Sequence, residues 1–260
     1  MKTVSIITLA LVPLLFACFP QIPEIHLNEV PAGPLLRALD QRRQAFAGLT
    51  GMAVVRVERK GRKRTFDNVG IALSAQSGLR MEAFGPLGQS LITLVWDGQE
   101  IQLRLPGQDS ILTPGQAGLE KLLGVGLEPT ELAAALSGNV PEFDQSAVIK
   151  AFCAQGGDCV VEVRQADALR RITMAFPASP EERVGNIIII ESALYRSGKP
   201  VFAARFEQGE EVSKYVMPKN IVFRNPDKKA SFTVSYSELE VNGAIPDKAF
   251  SLINAEGAGP

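Results

Sequence analysis

The chain has 260 residues, of which 46% are hydrophobic and 21% are charged, and its formal net charge is −1. This balance excludes a disordered chain, which is too polar to form a core. It also argues against a protein that holds nucleic acid, because such proteins usually carry a clear positive excess. One histidine and three cysteines leave few side chains for metal binding or acid–base catalysis. The composition is that of a globular protein with much apolar surface to bury.

The first seventeen residues have the pattern of a secretory signal peptide. Lys2 is followed by an apolar run over residues 4–16, and the small residue Ala17 precedes Cys18. The run is shorter than the ~20 apolar residues that a membrane-spanning helix needs, so an N-terminal membrane anchor is the weaker interpretation. An ordinary cleaved signal followed by an incidental cysteine is the other alternative.

The residues Leu15-Phe16-Ala17-Cys18 resemble the lipobox of bacterial lipoproteins. The resemblance implies cleavage before Cys18, a diacylglyceryl group on its sulfur and an acyl chain such as palmitate on its new amino group. More than one acyl chain gives stable anchoring to a membrane. In such lipoproteins a residue other than Asp at the next position, here Phe19, favours the outer membrane. Residues 18–34 contain four prolines and are predicted to form the lipidated N-terminus and an extended linker.

The periodicity after this linker predicts one helix, about five strands, two short helices and then six or more strands. In the first helix, 35–46, the residues Leu35, Leu39, Arg42 and Phe46 recur at helical spacing. The first strands are predicted at 52–57, 66–75, 79–84, 90–96 and 100–105.

Helical periodicity returns at 116–123 and 130–137, with Pro129 at a helix start and Gly138 just past a helix end. Later strands are predicted at 147–153, 159–164, 169–176, 186–195, 200–206, 211–215, 220–224 and 230–239. The acidic pairs Glu181-Glu182 and Glu210-Glu211 are predicted to lie in solvated connections between strands.

Strands and helices do not alternate, which disfavours a parallel sheet. We predict one mainly β domain with helices (α+β) over residues 35–254, followed by a disordered tail at 255–260. Its architecture is a long, curved antiparallel sheet with helices on the concave side. Such a sheet encloses either a packed core or an apolar cavity, and the periodicity alone does not distinguish the two.

Cys153 and Cys159 flank a five-residue turn between two predicted strands. We predict a disulfide that closes this hairpin, because the signal peptide indicates an oxidising compartment. A loop this short gives a stabilisation of about 2–3 kcal/mol. A metal site needs further ligands that the sequence lacks, and reactive redox pairs usually have Cys-x-x-Cys spacing, so both alternatives are weaker.

The sequence contains no Gly-x-Ser-x-Gly, His-Glu-x-x-His, P-loop or dinucleotide-binding motif. We therefore predict that the protein is not an enzyme and has no catalytic residues, no bound metal and no cofactor beyond the acyl groups on Cys18. The basic run Arg59–Arg64 has two interpretations. It contacts anionic lipid headgroups, or it is a charged hairpin tip that prevents aggregation.

The order of motifs resembles the LolA/LolB-type family of periplasmic lipoprotein carriers and receptors, with the LolB members most similar because of the predicted lipid on Cys18. The motifs that carry the resemblance are Leu-Thr-Gly-Met at 49–52, Leu-Arg-Met-Glu-Ala-Phe-Gly-Pro-Leu-Gly at 79–88, Trp-Asp-Gly at 96–98, the helical segments 127–132 and 136–141, Met-Pro-Lys-Asn-Ile-Val at 217–222 and Ile-Pro-Asp-Lys-Ala-Phe at 245–250. The region from Glu142 to Phe206 is longer than in LolB members and contains the extra cysteine pair.

The resemblance implies an unclosed β-barrel with a helical lid over a hydrophobic cavity that holds acyl chains. It places Pro86, Leu87 and Gly88 in the loop that LolB members use for membrane insertion, with Leu87 as the matching residue. A Leu87 side chain that packs into the core is the alternative.

The implied function is that of an outer-membrane lipoprotein on the periplasmic face. Such a protein binds acyl chains, receives lipoproteins from a periplasmic carrier protein and inserts them into the membrane. No covalent bond is made or broken in this function. The alternative is a non-carrier envelope lipoprotein that uses the same fold to dock another protein.

Overall fold

The structure is a computed structural model that describes residues 27–107, 112–113, 115–143, 147–154, 157–176 and 187–252. The predicted signal peptide 1–17, Cys18, Glu181-Glu182 and the tail 255–260 lie outside these residues. The expectations about them therefore stay predictions. Within the described ranges, no helix is both long and apolar enough to cross a membrane.

The described elements are thirteen strands, three α-helices and one short 3₁₀ helix. The strands are β1 (Leu27–Glu29), β2 (Gly48–Arg59), β3 (Arg62–Ser74), β4 (Gly78–Phe84), β5 (Ser90–Trp96), β6 (Ile101–Arg104), β7 (Val148–Ala154), β8 (Asp158–Gln165), β9 (Ala168–Ala175), β10 (Ile188–Arg196), β11 (Lys199–Val212), β12 (Tyr215–Asn225) and β13 (Ala230–Val241). The helices are α1 (Ala32–Gln44), α2 (Gly115–Leu123) and α3 (Pro129–Leu136), and the 3₁₀ helix is Asp247–Phe250.

All thirteen strands belong to one sheet, in which every pairing of neighbouring strands is antiparallel. The order across the sheet is β1-β7-β8-β9-β10-β11-β12-β13-β2-β3-β4-β5-β6. The two outermost strands, β1 and β6, do not pair with each other, so the sheet does not close into a barrel. The predicted fold class, an unclosed antiparallel half-barrel with helices, is confirmed.

Alternation along the strands gives the sheet an apolar face and a polar face. In β4, Leu79, Met81 and Ala83 are buried, whereas the side chains of Arg80 and Glu82 between them pair with each other on the opposite face. The buried faces of the strands share one hydrophobic core with residues from all three helices. The predicted helices therefore pack against the buried face of the sheet.

The folded part of the chain begins earlier than predicted. Leu27 of β1 lies opposite Ala154 of β7, and the N–H of Val30 donates to the carbonyl oxygen of Ala151 at 2.9 Å. Residues 27–34, which the sequence assigns to the linker, thus hold a strand and the start of α1. The strand is bound through its backbone and its side chains are exposed, so apolar periodicity does not reveal it.

The prediction of two separate strands at 200–206 and 211–215 is wrong, because β11 runs without interruption from Lys199 to Val212. Glu210 lies opposite Met217 and Glu211 opposite Val216, so both acids belong to a strand and not to a connection. Their side chains are exposed. A strand that buries one face alternates polar and apolar residues, whereas a strand exposed on both faces can be polar throughout. This part of β11 is exposed, so it carries no alternation that would identify it as a strand.

The predicted disulfide is present. Cys153 of β7 and Cys159 of β8 are directly opposite each other, with Cα atoms 4.1 Å apart, and their sulfurs are bonded. Asn28 of β1 lies opposite Cys153 on the other side of β7. The cross-link therefore secures the hairpin on which the N-terminal edge strand is built.

Candidate functional site

Helix α3 is held at both ends by backbone geometry that the sequence predicts. Pro129 occupies the start of the helix, where its missing N–H removes no hydrogen bond. At the other end Gly138 adopts φ +68°, and the N–H groups of Gly138 and Asn139 donate to Ala135 and Ala134 at 2.9 and 2.8 Å. This is a Schellman arrangement, which satisfies the last helical carbonyls.

A buried arginine of α1 joins the end of α3 to the sheet. Arg42 donates to the carbonyl oxygens of Gly138 (3.1 Å), Ile187 (3.2 Å) and Val216 (2.6 Å). Its guanidinium lies 4.5 Å from the centre of the Tyr215 ring. Burial lowers the pKa of Arg42. A Cβ at position 138 would lie 2.7 Å from Cδ of Pro218 and 3.0 Å from Nη2 of Arg42, so the glycine also leaves room for these two neighbours.

Two buried tyrosines bind the same end of α3 from the sheet. The hydroxyl of Tyr215 in β12 donates to the carbonyl oxygen of Ser137 at 3.1 Å, and that of Tyr236 in β13 donates to Leu136 at 3.0 Å. Burial raises the pKa of both hydroxyls. They stay protonated and act as hydrogen-bond donors to the backbone.

A buried ion pair anchors the first turn of α3. Glu131 accepts a hydrogen bond from Arg170 of β9, which also donates to the hydroxyl of Ser192 in β10 at 3.1 Å. Both charged side chains are about nine-tenths buried, each with 10% of its side-chain surface exposed. Burial raises the pKa of Glu131, and the positive charge of Arg170 opposes this rise.

Sequence reasoning missed the roles of Arg42 and of the Glu131–Arg170 pair. A signal for Arg42 exists, since it shares a helical face with Leu35, Leu39 and Phe46, and a charged residue on an apolar face usually has a buried partner. Glu131 and Arg170 are 39 residues apart, and no local pattern connects them.

A partly open cavity of about 60 Å³, lined by apolar side chains, lies between α2 and the sheet. The residues that line it are Leu122 and Leu123 of α2 together with Val55, Val57, Phe66, Val69, Met81, Ala83, Ile92, Leu94 and Phe232 of the sheet. An apolar cavity of roughly 150 Å³ is needed to bind a molecule as small as benzene. The space under α2 is therefore nearly filled in this conformation, and a larger ligand needs the lining side chains or α2 to move.

The attachment of α2 to the sheet is mainly apolar. Leu119 and Leu123 are buried against the core. Of the described side chains of α2, Glu120 is the one that pairs with the sheet, through Lys228 in the turn between β12 and β13. The helix ends at Leu123, and Gly124, the next residue, has φ +80°.

The loop between β4 and β5 carries an apolar side chain in solvent. Leu87 is 92% exposed, and Pro86 and Gly88 beside it are also exposed. The loop is held by backbone hydrogen bonds from Gly85 to Gln89 (2.8 Å) and from Gly88 to Gly85 (2.9 Å), and by one from the N–H of Leu87 to Oε1 of Gln89 (3.0 Å). Of the two alternatives for Leu87, the structure shows the exposed one.

The described residues offer apolar surface at this site and few groups for polar chemistry. Among them, no three or more His, Cys, Asp or Glu side chains come together as ligands for a metal ion. The buried charged groups near the helices, Arg42, Glu131 and Arg170, are engaged with one another or with backbone carbonyls. The lining of the space under α2 is therefore suited to apolar contacts and offers no charged side chain.

No protein-family model matches the sequence, and no curated protein matches it either. Solved structures do share its fold. A LolA superfamily protein from Nitrosomonas europaea superposes with a TM-score of 0.55 at 11% identity, covering 86% of this chain and 98% of that one. A putative outer membrane lipoprotein-sorting protein domain from Vibrio parahaemolyticus gives a TM-score of 0.56 at 11% identity, with coverages of 84% and 97%.

A third structure, a DUF1329 family protein from Desulfovibrio piger, has a TM-score of 0.52 at 12% identity and covers 84% of this chain and 97% of that one. Identities this low show a common fold and carry no residue roles across. The LolA/LolB-type fold that the motifs predict is thereby confirmed as the fold of this chain.

Proposed function

We propose that the protein is an outer-membrane lipoprotein that binds acyl chains between α2 and the sheet and inserts lipoproteins into the membrane. The observation that carries the proposal is the apolar cavity under α2, which only apolar side chains line. One solved structure of the same fold is described as a lipoprotein-sorting domain, which supports this ligand class.

Binding of an acyl chain requires α2 to move. The present cavity of about 60 Å³ is too small for the chain. Displacement of α2 exposes Leu119, Leu122 and Leu123 together with the apolar wall of the sheet. An acyl chain then covers this surface, at about 0.8 kcal/mol per buried CH₂ group. In this step the acyl chain partitions between two apolar surroundings, and no covalent bond is made or broken.

The N-terminus supplies the location in this proposal. Cleavage before Cys18 and acylation of that cysteine anchor the domain to the periplasmic face of the outer membrane, and a periplasmic carrier protein delivers the lipoprotein. Mass spectrometry of the N-terminal peptide of membrane-extracted protein tests this part. The expected result is a peptide that begins at a triacylated Cys18, and an unmodified Cys18 would contradict it.

Acyl-chain binding is tested with a fluorescent fatty acid and two variants of the full chain. Ala83→Leu adds bulk to the cavity wall, and we expect it to weaken binding at least tenfold. Ala72→Leu is the matched control, because Ala72 lies on the opposite face of the sheet in a surface groove. Circular dichroism shows whether both variants are folded. Equal affinity of the two variants, or no lipid and no fatty-acid binding in the parent protein, would remove the proposal.

The role of Leu87 in insertion is tested with Leu87→Glu. The residue is exposed, so we expect the variant to fold as stably as the parent and to insert lipoproteins into vesicles much more slowly. Val148→Glu is the control, since Val148 is also an exposed apolar residue but lies in β7 near the other end of the sheet order. Normal insertion by Leu87→Glu would remove Leu87 from the mechanism.

The small volume of the cavity favours one second candidate, a lipoprotein that uses the fold to dock another envelope protein. A domain with a filled interior needs no ligand there, and its function then lies on its surface. Purification under mild conditions separates the two candidates. One stoichiometric partner without bound lipid supports docking, whereas bound lipid supports the carrier function.

A further inference from the structure

We propose that the edge of the sheet that carries Leu87 also binds anionic lipid headgroups, through two adjacent basic turns. The first turn joins β2 to β3 and the second joins β12 to β13. Arg59 at the end of β2 lies opposite both Arg62 of β3 and Ala230 of β13, so the two turns are neighbours on one edge. We call their cations the basic edge: Arg59, Lys60, Arg62, Lys63, Arg64, Arg224, Lys228 and Lys229.

The basic edge is strongly positive, although the protein as a whole has no excess of positive charge. Residues 58–64 and 224–229 contain eight cations and two acids, Glu58 and Asp227, whereas the whole chain has a net charge of −1. All eight cations are exposed. Lys63 lies 3.5 Å from Glu58, and Lys228 pairs with Glu120 of α2. The remaining cations leave a strong positive excess at this edge.

The loop between β4 and β5, which carries Leu87, lies toward the same end of the sheet. Strand β4 is antiparallel to β3, with Ala83 opposite Val69. The C-terminal end of β4, where the loop begins after Phe84, therefore points toward the end of the sheet at which β3 begins with Arg62. The apolar cavity also reaches this end of the sheet, because Val57, which lines it, is opposite Arg64. The cations, the exposed leucine and the space under α2 thus all lie toward the same end of the sheet.

A lipid surface matches all three features, and other polyanions match fewer. Headgroups of anionic lipids attract the cations, while the hydrocarbon beneath them accepts Leu87. A nucleic acid or an acidic protein would neutralise the same cations but would leave Leu87, 92% exposed, in water. The proposal rests on the membrane role of Leu87 in the proposed function and is independent of acyl-chain binding.

The test measures how deeply the loop enters a membrane. The full chain with Pro86→Cys carries an environment-sensitive fluorophore on the new thiol, and it is reconstituted into vesicles of phosphatidylcholine alone or with one-third phosphatidylglycerol. The parent chain without Pro86→Cys gives the background. We expect a blue shift on the anionic vesicles that weakens with added salt, because screening shortens the range of the attraction.

Two pairs of lysines make a matched comparison. Lys60 and Lys229 are in the basic edge, and both have left-handed backbone, with φ +50° and +46°. The control pair lies at the opposite end of the sheet. Lys214, with φ +66°, is in the turn between β11 and β12. Lys248 is next to Asp247, which accepts a hydrogen bond from Ser77 in the turn between β3 and β4 and so places Lys248 at that end as well. Each pair is changed to glutamine.

We expect K60Q/K229Q to reduce the equilibrium constant for loop insertion about 25-fold, which is about fivefold for each charge removed near an anionic surface. K214Q/K248Q should leave it within about twofold, since these charges lie far from the contact relative to the Debye length. Equal insertion into neutral and anionic vesicles, or equal losses in the two double variants, would overturn the proposal. A second measurement compares how well polyglutamate and anionic vesicles protect Lys60 and Lys229 from a lysine-acetylating reagent. Protection by polyglutamate but not by the vesicles would overturn the proposal in favour of an acidic protein partner.

These outcomes are distinct from failure of the proposed function. A chain that binds the fluorescent fatty acid but shows no blue shift on anionic vesicles refutes the basic edge alone. A chain that inserts its loop but binds no acyl chain refutes the cavity alone.

Discussion

The two helices α2 and α3 both pack against the buried face of the sheet but are attached to it in different ways. Helix α3 is bound by the Glu131–Arg170 ion pair and, at its C-terminal end, by donors from Arg42, Tyr215 and Tyr236. Helix α2 contributes buried leucines to the core. Among its described side chains, Glu120 forms an ion pair with Lys228 in the turn between β12 and β13. The first is fixed by directional bonds, and the second is held mainly by burial of apolar surface.

This difference indicates which helix is able to move. Displacing α3 would leave buried donors and acceptors without partners, and each such group costs about 1–3 kcal/mol. Displacing α2 exposes apolar surface, and an apolar ligand that enters the same space covers it again. The cavity lies under α2, next to the helix that moves at lower cost. The predictions below test this contrast, beginning with the largest effect.

Removing one partner of the buried ion pair should destabilise the protein most. Glu131→Ala leaves Arg170 charged and unpaired in the interior, so we expect the free energy of unfolding to fall by about 3–5 kcal/mol. Urea denaturation of the full chain measures this change. Arg171→Ala is the matched control, because Arg171 pairs with Glu162 at the surface, where such pairs contribute about 1 kcal/mol or less.

The double variant Glu131→Leu/Arg170→Met separates loss of the pair from loss of packing. Replacing both charges with apolar groups of similar volume should restore most of the stability, since no unpaired charge stays buried. A Glu131→Ala variant as stable as Arg171→Ala would contradict the view that this pair fixes α3.

Leucine truncation compares the two helices directly. Leu132 of α3 is fully buried, and Leu123 of α2 is buried beside the cavity. Leu→Ala changes in cores cost about 2–5 kcal/mol, depending on how well the site collapses. We expect Leu132→Ala near the upper end and Leu123→Ala near the lower end, because α2 can settle onto the sheet. Equal losses of unfolding free energy would mean that α2 is as firmly held as α3.

The burial of Glu131 should also make stability depend on pH. Burial raises the pKa of Glu131 above its ordinary value of 4.5, so the folded protein keeps a proton that the unfolded chain has lost. The stabilisation is fully present below the unfolded pKa and is lost as pH rises through the folded one. One proton gives a slope of at most about 1.4 kcal/mol per pH unit. Urea denaturation above pH 4 should show the stability of the parent falling with pH relative to that of Glu131→Gln, which has no titrating group at this position.

Sequence reasoning recovered the parts of this fold that depend on local patterns. Alternation predicted most strands, and Pro129 and Gly138 predicted the ends of α3, because each signal lies within a few residues of the structure that it specifies. The backbone-bound strand at Leu27 and the polar stretch around Glu210 gave no such signal. Both are stabilised by pairing with distant strands, which periodicity does not record.

The candidate site shows the same division. The family motif placed Leu87 in a loop between two strands, and its exposure is a local result of the turn from Gly85 to Gly88. The size of the cavity under α2 depends on how side chains from five strands and one helix fill a common volume. The partners of Arg42 are 96, 145 and 174 residues away along the chain. Only the folded structure brings such groups together.

The smallest predicted effect concerns the ion pair between Glu120 of α2 and Lys228. Lys228→Gln removes the partner of Glu120, and a partly exposed pair of this kind contributes less than about 1 kcal/mol. Native-state hydrogen exchange should therefore show the amides of residues 119–123 exchanging up to about fivefold faster, while those of α3 do not change. Lys248→Gln removes an exposed lysine away from α2 and should alter neither helix. In the parent protein α2 should already exchange faster than α3, and slower exchange in α2 would reverse the assignment of the movable helix.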